Sequence, residues 1–444
     1  MQKIIIFLAL FIFTQSFSGY KIISENVTFE DNKFIFEDGF ELDSEFAKCR
    51  SKKATFSNIK KKHYPIFLLQ DDVVIFFNKG SILKADFCRF NVSKSSLDFS
   101  SKSLVEYSDK IKEKNLSIFS KEVNCLVKNK IYSKKPSTKD IFEIKFEDRV
   151  VLKIDEDTQI NAKKAIYKNI DNKSNVYIYP SDDLDIIFTS KKIKALVKKA
   201  KINLDNNNIE LTDVKGEIEL SIKKDLKINF SSKNLYWYNF ENSLLLTDQV
   251  KIVNTDLTIF SNEVELQKKE SNNTLRKIIA KKNSSIVFNS ETNSKITTSG
   301  IIELDLEKNS LTASSLKNQK SDLTYQDEFV NISAKKAICT FDVKNQIETI
   351  FLENDINLIY KVENGYAIAD KIEYYPKQGL LKLMSIAENK VLFWQEDGAM
   401  KLSADEIILN QKEKDKIQGN GDVRFTFNID EENLLKDFLQ NIGR

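Results

Sequence analysis

The chain has 444 residues, of which 41% are hydrophobic and 30% charged, and its formal net charge is +3. This near balance argues against nucleic acid as the partner, because nucleic-acid-binding proteins present a strong excess of basic residues. Only 11 glycines and 4 prolines occur, which argues against collagen-like segments and glycine-rich calcium-binding solenoids.

Residues 1–18 have the features of a secretory signal peptide. Lys3 precedes an apolar run from Ile4 to Phe13, and Ser16-Phe17-Ser18 supplies small residues for cleavage before Gly19. The run is short for a membrane-spanning helix, although an uncleaved N-terminal anchor in the inner membrane stays open. No cysteine follows the signal directly, so a lipoprotein anchor is not expected. We therefore predict that the chain is exported.

From residue 51 onward, a short pattern returns about every 35 residues. Each copy has an apolar residue, any residue, a small residue, two polar residues and then alternating apolar residues, as in Ile332–Cys339. A fixed period of this size predicts a repeat architecture, in which each unit buries its apolar face against its neighbours. The small residues of the eleven copies are Ser51, Ala85, Ser120, Ala162, Val197, Ser231, Ser261, Thr298, Ala334, Ala369 and Ala404.

The pattern within a copy predicts β-strands. Apolar and polar residues alternate on both sides of the small residue, which is the period of a strand with one buried face. The two adjacent polar residues interrupt this alternation, and one extra residue reverses which face the side chains point to. We therefore predict a bulge or corner where the chain passes from one sheet to another. The sequence predicts an all-β fold.

Two segments depart from the regular pattern. Lys191–Lys201 resembles a basic amphipathic helix for a membrane surface, but its register with the repeat favours a lysine-rich strand. A polar insertion around Lys134–Thr138 predicts a longer loop.

Residues 429–444 are predicted to form a short helix that caps the open end of the last sheet. It starts with the acidic residues 430–432, and Gly443 lies past its end. Its apolar stripe consists of Leu434, Leu435, Phe438 and Leu439.

The four cysteines leave their oxidation state open. In an exported chain an even number allows disulfides, and Cys49–Cys88 or Cys88–Cys125 would join neighbouring repeats. Cys339 has no such neighbour among the repeats. No CxxC pair occurs, so we expect no metal site built from cysteine.

The sequence offers little for catalysis. Its single histidine, His63, lies in the basic stretch Lys61-Lys62-His63, and no nucleophile, phosphate-loop or zinc-protease motif is present. Asp370, Asp405 and Glu406 fall at the predicted corners, where a polar residue is needed to face water. We therefore predict no enzymatic activity, no catalytic residues, no cofactor and no metal.

Two long runs resemble a known family. Leu244–Leu266 and Gly365–Val423 contain strands, turns and small-polar-polar corners (Ser261-Asn262-Glu263 in the first run, Ala369-Asp370-Lys371 and Ala404-Asp405-Glu406 in the second). The second run ends in the strand Ile417-Gln418-Gly419-Asn420-Gly421-Asp422-Val423. These runs are similar to the OstA-like repeats of the lipopolysaccharide-transport bridge proteins, the LptA, LptC and LptD N-terminal type. The resemblance is specific over residues 240–428 and diffuse over 50–240. The chain is longer than a single-domain bridge protein.

The resemblance implies a β-jelly-roll or β-taco, with two antiparallel sheets enclosing an open groove, continuous over residues 19–428. It implies a periplasmic protein of outer membrane biogenesis that shields the acyl chains of lipopolysaccharide or a related glycolipid. It also implies partners that are other jelly-roll transport proteins, joined through edge strands at the ends. The groove-lining positions predicted on either side of the corners are Ile332, Ala334, Ala337, Ala367, Ala369, Ile372, Leu402, Ala404 and Ile407.

Two alternatives remain open at this stage. The nine positions can fill a closed core instead of lining a groove, in which case the chain is a structural β-solenoid, an envelope scaffold or adhesin. A β-helix enzyme that processes polysaccharide would need a cleft of clustered charged residues, which the sequence does not show.

Overall fold

The computed structural model describes most of the chain between residues 21 and 427. The described ranges are 21–43, 47–57, 66–77, 80–91, 94, 96–111, 114–127, 142–170, 173–190, 193–220, 226–238, 243–269, 275–289, 294–316, 322–342, 345–386, 389–396, 400–412 and 416–427. The predicted signal peptide, His63, the insertion around Lys134–Thr138 and the predicted C-terminal helix lie outside these residues.

Within the described residues the protein is all-β, with 34 strands and no helix. Accordingly, this part of the chain holds no helix that is long and apolar enough to cross a membrane. The chain divides into two compact units. Unit 1 comprises residues 1–214 and 236–241, and unit 2 comprises residues 215–235 and 242–444.

Strands of 4 to 16 residues make up both units. The first fourteen are β1 Lys21–Glu30, β2 Lys33–Asp43, β3 Ala47–Ser51, β4 Lys53–Ser57, β5 Ile66–Phe77, β6 Ile82–Asn91, β7 Ser96–Ile111, β8 Lys114–Val127, β9 Phe142–Ile154, β10 Thr158–Ile170, β11 Lys173–Tyr179, β12 Ile186–Ser190, β13 Ile193–Val197 and β14 Lys199–Asn203. Two strands, β15 Asn208–Leu220 and β16 Leu226–Trp237, contribute residues to both units. The remaining strands, all in unit 2, are β17 Ser243–Val253, β18 Leu257–Lys268, β19 Leu275–Lys281, β20 Ser284–Phe288, β21 Lys295–Thr298, β22 Ile301–Asp305, β23 Ser310–Ser314, β24 Leu323–Gln326, β25 Val330–Ala334, β26 Lys336–Phe341, β27 Ile347–Tyr360, β28 Gly365–Tyr375, β29 Leu380–Met384, β30 Val391–Gln395, β31 Met400–Ala404, β32 Glu406–Asn410, β33 Lys416–Asn420 and β34 Arg424–Phe427.

In unit 2 the strands pair in two antiparallel ladders. Long strands such as β27 and β28 run through both, with a register shift between Glu353 and Ile356 where they pass from one to the other. Ladder A runs through the first half of β17, the second half of β18, β19, β22, β23, β26, the first half of β27, the second half of β28, β29, β32 and β33. Ladder B runs through the second half of β17, the first half of β18, β20, β21, β24, β25, the second half of β27, the first half of β28, β30, β31 and β34.

Unit 1 repeats the arrangement. Its ladder A contains one half each of β1, β2 and β5 to β10, together with β4, β11, β14 and the start of β15. Its ladder B contains the other halves of the long strands, together with β3, β12 and β13. Each 35-residue repeat therefore adds two strands to each ladder.

The places where the chain crosses between ladders form the spine of each unit. Crossings from ladder A to ladder B often carry two residues with positive φ, such as Asp71 and Asp72, Asp248 and Gln249, and Asn354 and Asp355. Asp and Asn tolerate this left-handed conformation better than most residues. Crossings from B to A follow the small residue of the sequence pattern. Ile332 and Ala334 are buried, and the buried set then shifts to Ala337 and Cys339, so the alternation is interrupted after the small residue, as predicted.

The small residue lies at the spine, where the two ladders meet. When it is serine, its hydroxyl donates to the carbonyl oxygen two residues later, as in Ser51 to Lys53 (2.8 Å), Ser120 to Glu122 (3.0 Å) and Ser261 to Glu263 (2.9 Å). Ser232 does the same with Asn234 at 2.9 Å and is 7% exposed.

The copy placed at Ser231 is therefore wrong by one residue. Ser231 and Ser232 are both small and polar, so the sequence pattern alone could not separate them. Ser24 occupies the same position in β1, because its hydroxyl donates to the Asn26 carbonyl at 3.1 Å, although the sequence pattern does not indicate a copy there.

Enlarging a spine residue should destabilise unit 2. Ala404 is fully buried, and a Cβ added at Gly419 of ladder A would lie 3.5 Å from its methyl group. Ala404→Leu is therefore expected to cost about 1–3 kcal/mol of unfolding free energy through overpacking, measured by urea denaturation. Ser403→Leu, one residue earlier and facing outward, is the control, and an equal loss in both variants would contradict this account.

The described part of the lysine-rich segment, residues 193–201, forms β-structure, as its register predicted. Ile193–Val197 is β13 and Lys199–Asn203 is β14. Ile193, Ala195 and Val197 face the core, so the helical alternative is wrong for these residues.

Candidate functional site

The nine predicted lining residues lie together on the buried faces of unit 2. Ile332, Ala367 and Leu402 belong to one row across ladder B, which continues through Leu358 and Phe393. A matching row crosses ladder A, and a third follows the spine. The ladder A row contains Ala337, Leu352, Ile372, Leu383 and Ile407, and the spine row contains Ala334, Ala369 and Ala404.

None of these nine side chains faces open solvent. The most exposed are Ala369 at 5% and Leu402 at 4%, and the other seven lie at 0–1%. Facing residues of the two ladders touch, since the rings of Tyr325 on ladder B and Tyr374 on ladder A have centroids 5.8 Å apart. The interior is therefore closed in this structure, and a ligand would have to separate packed side chains to enter it.

Opposite the spine, the turns between strands form two rims. In unit 2, rim A consists of the described residues that follow β18, β22, β26, β28 and β32, and rim B of the described residues that follow β17, β20, β24, β27 and β30. We call the line along which the two rims face each other the mouth.

A buried carboxylate joins the two sides of the mouth in unit 2. Asp327, in a turn of rim B, is 5% exposed. One of its oxygens accepts from the backbone N–H groups of Phe329 and Val330, both at 2.8 Å. The other accepts from the hydroxyls of Tyr325, on ladder B, at 2.9 Å and Tyr374, on ladder A, at 2.8 Å. We call these three side chains the Asp327 clasp.

The electrostatics of the clasp keep its donors protonated. Burial first, and then the negative charge of Asp327, raise the pKa of Tyr325 and of Tyr374 well above the ordinary value of tyrosine. Both rings are packed edge to face, with centroids 5.8 Å apart. The four hydrogen bonds satisfy a charge that would otherwise be costly to bury.

Unit 1 carries a related cluster. Tyr107 on ladder B donates to Asp109 at 2.9 Å, two residues later, as Tyr325 does to Asp327. The Tyr107 ring lies 5.7 Å from that of Tyr167 on ladder A. Here the Tyr167 hydroxyl lies 3.2 Å from that of Ser174. Among the described residues, both units therefore contain a Tyr-x-Asp pattern that faces a tyrosine of the other ladder.

Two further contacts cross the mouth of unit 2. The rings of Phe288, at the end of β20, and Phe341, at the end of β26, have centroids 5.9 Å apart. Asn345 in rim A donates to the Asp256 carboxylate in rim B at 2.9 Å. These contacts involve side chains alone.

Backbone hydrogen bonds, by contrast, hold the spine and each separate rim. At the spine, Lys335 N–H donates to Asn354 at 3.1 Å and Asp405 N–H to Asn420 at 3.1 Å. Along rim B, Asn289 N–H donates to Asp256 at 2.8 Å. In the described part of unit 2, the backbone bonds of the turns join neighbours on one rim, and opposite rims meet through side chains.

The corner acids brace the spine. Asp370 accepts from the Ile386 N–H at 2.7 Å, and Glu406 accepts from the Asn420 amide at 2.7 Å. Asp405 pairs with Lys390, whose hydrogen bond lowers the pKa of that carboxyl. The described residues also contain no group of histidines, cysteines or carboxylates arranged to hold a metal ion.

All four cysteines are free and buried. Burial raises the pKa of Cys49 and Cys339 to about 12 and raises the pKa of Cys88 and Cys125 as well. Because the thiolate is the reactive form, none should react in the native protein at pH 8. Ellman titration should find no accessible thiols before denaturation and four afterwards. A count of two after denaturation would show a disulfide, such as Cys49–Cys88, that this structure lacks.

No protein-family model matches this chain, and no curated protein matches it.

Proposed function

We propose that the chain is a periplasmic transport protein that shields the acyl chains of lipopolysaccharide or a related glycolipid between its two ladders. The observation that supports this most is the set of continuous apolar rows on facing ladders, from Ile332 to Leu402 and from Ala337 to Ile407. Each methylene group kept from water is worth about 0.8 kcal/mol, so a lipid chain needs shielding without interruption. Apolar rows that continue from strand to strand supply this shielding and require no chemical reaction.

The proposed mechanism is a hinge opening. The spine is held by backbone hydrogen bonds, while the rims of unit 2 meet through the Asp327 clasp, the Phe288–Phe341 contact and the Asn345–Asp256 bond. Parting the rims would break these side-chain contacts and leave both strand ladders intact. The structure then corresponds to a closed state, and acyl chains would enter as a β-jelly-roll groove opens along the mouth.

The ends of the fold support the proposed partners. In β1, Val27 and Phe29 are 38% and 60% exposed, and in β34, Phe425 is 46% exposed. Each of these residues lies opposite a core-facing residue of the next strand, so its side chain is on the core side of the sheet but is not fully covered. Strands that leave apolar side chains uncovered at an edge favour pairing with another sheet. We propose other jelly-roll transport proteins as the partners at these edges.

A structural envelope scaffold or adhesin is the second candidate, and the closed interior favours it. Large side chains such as Tyr325, Tyr374 and Phe393 are almost fully buried, so the core is filled without any lipid. A scaffold needs no opening of the mouth, and the purified protein should carry no acyl lipid.

Site-specific photocrosslinking in cells distinguishes the two. p-Azidophenylalanine would replace Phe393, which is 1% exposed and faces the interior, or Phe260, which is 42% exposed and faces outward. The transport proposal expects a lipid adduct at Phe393 and none at Phe260. Absence of an adduct at Phe393, repeated at Phe341 beside the mouth, would reject transport in favour of the scaffold.

A further inference from the structure

The outer face of ladder B in unit 2 carries an apolar patch that the proposed function does not use. Ile359, Ile368 and Leu392 are 41%, 44% and 44% exposed, and Tyr366 and Trp394 stack beside them with ring centroids 5.9 Å apart. We call these five side chains the outer patch. Their neighbours in sequence, such as Ala367 and Phe393, face the core.

Strand register makes the outer patch contiguous. Ile359 lies opposite Tyr366, which lies opposite Trp394, and Ile368 lies opposite Leu392. The outward positions on either side are polar, with Asn331 on β25 and Lys401 on β31. Single exposed apolar residues are ordinary, whereas a contiguous group with a polar border offers a surface on which a short apolar segment can pack.

We propose that the C-terminal segment, residues 428–444, docks on the outer patch as an amphipathic helix. The segment begins directly after β34, and the order β34–β31–β30–β28–β27 in ladder B places the patch two to four strands away. At about 4.8 Å per strand the patch lies about 10–19 Å from that point. A helix over residues 430–442 would be about 20 Å long, so its length fits the span.

The charges of the segment and of the strands favour one orientation of the segment on ladder B. It starts with Asp430, Glu431 and Glu432, and the two strands that it must cross first carry Lys401 and Arg424 on their outer face. The Arg424 side chain is 81% exposed. Acidic residues would therefore lie over basic ones before the apolar stripe reaches the patch.

The apolar stripe of the segment and the outer patch both consist of large apolar side chains. Leu434, Leu435 and Phe438 follow the acidic residues by one to two helical turns and recur at the spacing of one helix face. Packing such a face on exposed apolar side chains is a common mode of helix recognition. A second copy of the chain fits this patch less well. The spacing of its strands gives the patch an area on the order of 200 Å², whereas a stable dimer buries about 800 Å² on each partner.

Trp394 reports on this contact in the full chain. With Trp237 replaced by phenylalanine, the emission comes from Trp394 alone, since the chain has two tryptophans. The double variant Leu435→Glu/Phe438→Glu should shift this emission to the red and increase its quenching by acrylamide. Gln440→Glu, on the opposite face of the predicted helix, should change neither. An unchanged Trp394 signal in the double variant would overturn the proposal.

Engineered cysteines give a second, independent measurement. The native thiols are buried, so Leu435→Cys can be paired with Ile368→Cys on the patch or with Lys295→Cys on β21. Lys295 lies seven strands from β34, about 34 Å, whereas the eight residues from 427 to 435 span at most about 27 Å when extended. Docking predicts that oxidation forms the disulfide with residue 368 and not with 295. Absence of the 368 disulfide, as expected if the segment caps the open end beside Phe425, would reject docking on the outer patch.

Discussion

Replacing Asp327 with alanine is expected to lower the unfolding free energy of unit 2 by about 3–5 kcal/mol, the range found when one partner of a buried, hydrogen-bonded charge network is removed. The substitution leaves two tyrosine hydroxyls and two backbone N–H groups without their acceptor. Each buried donor left unsatisfied costs about 1–3 kcal/mol, although neighbouring losses do not simply add. Urea unfolding followed by Trp394 fluorescence, in the Trp237→Phe background, measures the loss in unit 2.

Two variants make the Asp327 result specific. Glu328→Ala removes the adjacent, exposed acid and should change stability by no more than about 0.5 kcal/mol. Asp327→Asn keeps one carbonyl acceptor and offers an amide to the tyrosine oxygens. Its loss of unfolding free energy should therefore fall between the losses of Glu328→Ala and Asp327→Ala. If Asp327→Ala were no worse than Glu328→Ala, the clasp would not hold the mouth closed.

The spine and the buried rows could be predicted because both follow from local sequence. The alternation of apolar residues fixes which side chains face inward, and the polar pair after Ala334, Ala369 and Ala404 marks each crossing. All nine predicted lining residues consequently lie on the buried faces. Where the local signal was weak, as at Ser231 and Ser232, the prediction missed the crossing by one residue.

The mouth could not be predicted in the same way. Asp327 and Tyr374 are 47 residues apart, and Asn345 and Asp256 are 89 apart. No local periodicity encodes such contacts, because they depend on how the two ladders fold against each other. The Tyr-x-Asp pattern at Tyr107 and Tyr325 is visible in the sequence, but it gains meaning only when a tyrosine of the other ladder lies opposite. For the same reason the sequence could not distinguish a closed interior from an open one.

Locking the mouth is expected to abolish lipid loading if the proposed hinge opening is correct. Asp256 and Asn345 lie on opposite rims and their side chains meet at 2.9 Å. Cysteines at both positions can be joined by a short, reducible bismaleimide, which leaves the buried native thiols untouched. The locked protein should take up no acyl lipid, measured by photocrosslinking at position 393, and reduction of the linker should restore uptake.

A matched lock on one rim separates closure of the mouth from the effect of the linker itself. Thr255 and Asn289 both lie on rim B, where the Asn289 amide donates to the Thr255 carbonyl at 3.3 Å. Cysteines joined at these positions add the same linker at a similar separation without bridging the mouth, so uptake should persist. Equal uptake in both locked proteins would show that acyl chains do not enter through the mouth. Loss of uptake in the bridging lock alone would support the rims of unit 2 as the gate, because the two proteins differ only in whether the rims can part.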